Sequence, residues 1–277
     1  MTPTSISYTL RICSATAVGI LAFPLAGIAQ IAVAYESFAY ILGDELVAKP
    51  SSGSGFGANW LSADDQDVDI IRSPLSFGNL QDGGNALSMR APGDAQSQNL
   101  RSLVAIPNTT NNQLWISFLV QKEGAIVDKA DVFTLSLLGS NDTGLLIGDF
   151  GESFFFGIGN GNPATRQYSA VAPAVGTTFL LVASISFQAG NDVIRLFVNP
   201  TPGLSAPEEV TGTGLFTGAD MPSITTLDLF ANNSQTWSVD EFRLGLTYAS
   251  VTPTPEPGTA VLLTVAGVAL LTKRRRG

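Results

Sequence analysis

The chain has 277 residues, 28 of them glycine, with few charged side chains and a formal net charge of −9, a size that holds one large or two small domains. It contains no histidine and one cysteine, Cys13, so a Ser-His-Asp or Cys-His nucleophile system, a histidine-ligated zinc and a disulfide framework are excluded by inventory. Setting aside Arg11, Glu256, Lys273, Arg274, Arg275 and Arg276 leaves nine basic and 22 acidic residues, a charge near −13 whose field disfavours nucleic acid as a partner.

Residues 1–34 read as a secretory signal peptide, expected to form a helix: a lone positive charge at Arg11, then the apolar stretch ICSATAVGILAFPLAGIAQIAVA with small residues at the −3 and −1 positions of two cleavage points. Gly27 and Ala29 define one, Ala32 and Ala34 the other. Pro24, in the middle of the stretch, argues against a buried core helix. The segment predicts export of the body of the chain, and no lipobox surrounds Cys13.

From residue 35 to 250 the chain is a succession of short alternating runs broken by Gly, Asn, Asp and Pro, the pattern of an all-β sandwich. In chain order the predicted strands are YESFAYI, VDIIR, ALSMR, LRSLVAI, QLWISFLVQ, VFTLSLL, SFFFGIG, TFLLVASISF, VIRLFVN, TLDLFA and WSVDEFRLG. Period-two alternation puts Leu114, Ile116, Phe118 and Val120 on one face, opposite Trp115, Ser117 and Leu119. It likewise groups Phe179, Leu181, Ala183, Ile185 and Phe187, and Ile194, Leu196 and Val198, as inward sets. Residues 190–192 (GND) supply turn chemistry between the last two runs, which predicts a hairpin. Two antiparallel sheets packed face to face, a jelly-roll sandwich, would bury all these faces. AYESFAY, SGSGFGANW, TFLLVASISF with NDVIRLFVNPTPG, and the closing SVDEFRLGLTYASVTP together resemble the concanavalin A-like, laminin G-like sandwiches of exported bacterial proteins.

Lectins and glucanases share such folds, and their chemistry sets the candidate sites. The Glu-x-Asp-x-x-Glu spacing that would align a nucleophile and an acid/base on one strand does not occur. The nearest acidic pairs, Asp149 with Glu152 and Asp240 with Glu241, point to opposite faces if extended, and an inter-strand or turn hydrogen bond accounts for Asp240 and Glu241. Asp64, Asp65, Asp67 and Asp69 form an acidic alternation able to offer oxygen ligands to calcium; the other reading is a solvated turn with Asp67 and Asp69 on the outer face of a strand. No other cofactor is expected. Trp60, Trp115 and Trp237 are the candidate platforms for stacking a sugar, with Trp115 on the polar side of its strand, against the alternative that they are core. Gly157 to Gly161 have no helix pattern after them and read as turn glycines rather than a phosphate cradle.

Residues 251–277 are a tail. Gly258 to Thr272 are uncharged and mostly apolar, about 22 Å as a helix at ~1.5 Å per residue, short against a hydrocarbon core of ~30 Å but able to span with thinning and snorkelling. Lys273, Arg274, Arg275 and Arg276 come next and are expected on the cytoplasmic side. Pro255, Glu256 and Pro257 hold an extended segment before the helix. This order resembles the PEP-CTERM sorting signal of bacteria that make extracellular polysaccharide. The resemblance implies that Pro255, Glu256 and Pro257 are a recognition motif, that an exosortase-type membrane enzyme is a partner, and that the chain reaches the cell envelope or matrix after at least transient membrane anchoring. The expectation is a non-enzymatic envelope protein whose sandwich serves adhesion or polysaccharide association; the alternative is a carbohydrate-active enzyme, a glycoside hydrolase or lyase, of the same fold.

Overall fold

In a computed structural model the described residues are 32–254, less 51, 63–68, 91–95, 108, 111, 125–131, 140–143, 152, 161, 204, 208–214, 218–219 and 233–235. Residues 1–31 of the signal segment, the Pro-Glu-Pro motif, the apolar tail and its basic cluster lie outside them, whereas the last residue expected in that segment, Ala34, opens a strand. No helix among the described residues is long and apolar enough to cross a membrane.

Fifteen strands are described: β1 (Ala34–Glu36), β2 (Leu61–Ser62), β3 (Ile70–Arg72), β4 (Ala86–Arg90), β5 (Gln96–Ile106), β6 (Gln113–Lys122), β7 (Phe133–Gly139), β8 (Gly144–Asp149), β9 (Phe156–Gly159), β10 (Gln167–Tyr168), β11 (Thr178–Ser186), β12 (Val193–Val198), β13 (Leu215–Thr217), β14 (Ile224–Asn232) and β15 (Thr236–Gly245). One short helix, α1 (Tyr248–Val251), comes after them. They form two antiparallel sheets. An eight-stranded sheet runs β13-β12-β11-β6-β15-β4-β3, with β1 added to β15, and a seven-stranded sheet runs β10-β9-β8-β7-β14-β5-β2.

The sandwich forms because alternate residues of the long strands are apolar on the face that meets the other sheet. Leu114, Ile116, Phe118 and Val120 of β6, Phe179, Leu181, Ala183 and Ile185 of β11, and Ile194, Leu196 and Val198 of β12 face Phe133, Leu135 and Leu137 of β7 and Leu227, Leu229 and Ala231 of β14 in one continuous core. β11 and β12 are the expected hairpin, with Ser186 opposite Val193 beside the turn.

The two outward faces differ. On the eight-stranded sheet, Trp115, Leu119, Leu180, Val182 and Phe197 are apolar too, and they are roofed by Leu75, Leu80, Tyr248 and Val251 in a second core. The roof is pinned by polar contacts: Thr247 caps α1, Ser117 Oγ donates to the Val251 carbonyl, and Gln81 N donates to the Pro253 carbonyl. The outward face of the seven-stranded sheet carries hydroxyls, a carboxylate and aromatic rings.

Candidate functional site

A hollow of about 340 Å³ lies on that polar face, lined by Val132, Thr134, Ser136, Leu146, Phe150, Arg166, Asp228 and Phe230, a volume at the small end of ligand sites. Its floor is set by register. Thr134 on β7 pairs with Gly148 on β8 and Phe230 on β14, and Ser136 pairs with Leu146 and Asp228. Since inward Phe133, Leu135, Leu227 and Leu229 alternate with these residues, period two requires Thr134, Ser136, Asp228 and Phe230 to face outward. The row continues on β5, where Gln98 stands opposite Phe230 and Leu100 opposite Asp228.

One wall is built over glycines. Gly157 of β9 pairs with Tyr168 of β10, and a Cβ added at Gly157 would meet Phe150 at 2.8 Å and Tyr168 at 2.9 Å. The two rings therefore close over the bare backbone, edge to face with centroids 6.1 Å apart. A Cβ on Gly159 would meet Arg166 Cγ at 3.0 Å, and the Arg166 guanidinium lies 4.6 Å from the Phe150 ring centre, an attractive cation–π placement. Asn162 accepts from Ala164 N at the start of the 3-10 turn Pro163–Thr165, which delivers Arg166 to this wall. Gly157 and Gly159 are thus strand residues that make room for side chains, which corrects their reading as turn glycines.

Asp228 is the carboxylate of the hollow. Gln98 Nε2 donates to both of its oxygens at 3.2 Å. Burial nevertheless outweighs that hydrogen bond and pushes the carboxyl up to about 6.

The residues expected from sequence lie elsewhere. Trp60 and Trp237 have no exposed surface, and Trp115 is 6% exposed, so none offers a face for a sugar in this arrangement. Trp60 stacks on Phe38, Trp237 on Phe133, and Trp115 sits beneath Tyr248 and Phe197. Trp115 does lie on the outward side of β6, but the second core covers that side and makes it apolar. Asp64, Asp65 and Asp67 are outside the described residues. Asp69 is not on a solvent face: it is buried and accepts from Ser97 Oγ, Asn99 Nδ2 and Arg90 N. Among the described residues no group of three acidic or thiol side chains could hold a metal ion.

Asp240 and Glu241 do not simply point to opposite faces, because β15 shifts register between Asp240 and Arg243 and Glu241 adopts φ +54°, a bulge. Both carboxylates turn toward the roof. Asp240 accepts from Leu75 N and Glu241 N, and Glu241 accepts from Gly83 N, Tyr35 and Arg243. Burial first, then the Glu241 charge, pushes the Asp240 carboxyl up to about 8.

No family model matches the chain, and no curated protein matches it. Solved structures do. An endo-1,3-beta-glucanase from Streptomyces sioyaensis aligns with a TM-score of 0.51 at 10% identity over 80% of this chain and 98% of its own. A carbohydrate esterase from the Shiga toxin-encoding bacteriophage phi24B aligns at 0.50, 9% identity, 78% and 98%. Lectin II from Ulex europaeus aligns at 0.40, 11% identity, 66% and 100%. At these identities the likeness is one of fold: an all-β, two-sheet sandwich.

Proposed function

We propose that the chain is an exported envelope or matrix protein whose sandwich associates with polysaccharide through the hollow on its seven-stranded sheet, without cleaving it, and that a tail of PEP-CTERM type delivers it. The hollow itself carries this reading. One outward face is sealed by an apolar roof, whereas the other presents rings, hydroxyls and a carboxylate around a cavity, with the Gln98 amide bonded to that carboxylate, the mixture that stacks on and hydrogen-bonds to a sugar. Two structures sharing the fold carry carbohydrate in their names, an endo-1,3-beta-glucanase and a carbohydrate esterase, which fits the same ligand class.

Retention of the full chain on a glycan array, with and without calcium, tests the binding half, and loss of retention in Phe230→Ala with an unchanged thermal midpoint is the expected result. The sorting half is tested by deleting residues 255–277 and fractionating cells. An unchanged distribution between membrane and extracellular fractions would sink it.

A second reading, the carbohydrate-active enzyme, has one observation in its favour: a carboxyl near 6 suits a general acid. Glycoside hydrolysis ordinarily needs a second carboxylate about 5–10 Å away, and Asp228 is the one carboxylate among the described residues of the hollow. Release of reducing ends from a 1,3-beta-glucan, abolished in Asp228→Asn, would establish the enzyme and overturn the binding-only reading.

A further inference from the structure

Asp228 is buried, yet among the described residues its hydrogen-bond partner is Gln98 alone. An ionised carboxylate offers about four lone-pair sites, and one amide NH₂ brings at most two hydrogens. The unfilled capacity of Asp228 belongs to the hollow that it lines. Around it stand Gln98 and Leu100 from β5, Thr134 and Ser136 from β7, Leu146 from β8 and Arg166 from the wall. Arg166 is the charged one of these, and its guanidinium is stacked on Phe150. Among its described lining residues the hollow thus holds one charge of each sign, set in a body near −13, and that surrounding field disfavours a polyanion.

Resting on the reading of the hollow as a glycan site, we infer that Asp228 is its specificity-determining residue, accepting from two adjacent hydroxyls of a neutral sugar, so that the ligand is a neutral polysaccharide rather than a polyuronate or sulfated chain. A sugar with vicinal hydroxyls supplies the two donors that the carboxylate lacks, while Phe230 and Leu146, which line the same hollow, offer apolar contact. Charge-assisted bonds of this kind are roughly twice as strong as neutral ones. The ionised carboxylate accepts from both donors without competition from its own proton, so above the carboxyl's titration range the sugar binds directly, and below it a proton must first be lost. Because burial holds the carboxyl up to about 6, affinity is full well above that pH and falls about tenfold for each pH unit below it.

The test is binding of the full chain, purified in mild detergent, to soluble 1,3-beta-glucan, mannan, polygalacturonate and alginate at pH 5 and pH 8 and at two salt concentrations. The expected result is retention on a neutral polymer about tenfold weaker at pH 5 than at pH 8. Asp228→Asn should bind as weakly at pH 8 as the parent does at pH 5, with a flat pH profile and an unchanged near-ultraviolet circular dichroism spectrum. Gln98→Leu provides a second measurement: it removes the hydrogen bond that favours ionisation, so the midpoint of the binding profile should move to higher pH. Preferential retention on a polyuronate, or a pH profile that Gln98→Leu and Asp228→Asn leave unmoved, would overturn the inference while leaving glycan binding intact. Absence of binding to every polymer at both pH values would remove the hollow's glycan role and this inference with it.

Discussion

Arg101 belongs to β5 but points into the sandwich, its guanidinium 4.3 Å from the centre of the Phe56 ring and 5.2 Å from that of Trp60. It pairs there with Glu36, which also accepts from Phe38 N, Tyr40 and Ser52, and both charges are almost fully buried. Deleting one member leaves the other desolvated and unpaired, so Arg101→Met should cost about 3–5 kcal/mol in urea unfolding. The glycine wall makes a comparable demand. Gly157→Ala puts a methyl inside contact distance of Phe150 and Tyr168, and a loss of ~1–3 kcal/mol in thermal unfolding, with weakened glycan retention, is the expected result. At this scale the sequence is partly legible. In VFTLSLL and TLDLFA, Thr134, Ser136 and Asp228 alternate with large apolar residues, a signal that marks them as one face of a sheet. What adjacency in sequence cannot show is that β7 and β14 are neighbours, or that Phe150 and Tyr168, not a tryptophan, close over Gly157.

Strand identity is more readily legible than strand partnership. Each of the runs named from alternation overlaps a described strand, YESFAYI by Tyr35 and Glu36 alone because the strand ends at Glu36, whereas β2, β10 and β13 have two or three residues and too little pattern to notice. β8, GLLIGD, escapes the alternation because Leu145, Leu146 and Ile147 are apolar in succession; Leu146 contributes to the hollow while its neighbours fill the core. The N-terminal strand bears on processing. Ala34 is buried in β1 opposite Leu244, and Val33 N donates to the Leu244 carbonyl. Cleavage after Ala34 would remove those contacts, whereas cleavage after Ala29 spares them. Under the proposed export, the processed chain is therefore expected to begin at Gln30, as read by intact mass or N-terminal sequencing, and a chain starting at Tyr35 should unfold at a lower temperature.

The molecule as a whole holds carboxyls above their ordinary range on both outer sides, Asp228 on the polar face and Asp240 under the roof of the other. A raised value in the folded state means that folding retains the proton. Stability from Asp240 is present in full below about pH 4, the unfolded value, and is lost as pH rises through about 8. Thermal midpoints of Asp240→Asn should accordingly vary less between pH 4.5 and pH 8.5 than those of the parent, and an identical slope would refute the assignment. The sandwich architecture is legible because both sheets share one alternating core. The roof is not, because a second apolar layer over a sheet looks, in sequence, like loops rich in Leu, Pro and Phe.

β1 lies against β15, with about 210 positions between Ala34 and Leu244. At ~5–20 residues per second of synthesis, the first strand waits on the order of 10–40 s for its template to exist. Closure of the eight-stranded sheet is thus a late event, governed by an unusually distant partner. Until then the nascent polypeptide lacks a finished eight-stranded sheet, the pliable condition that the proposed export would need.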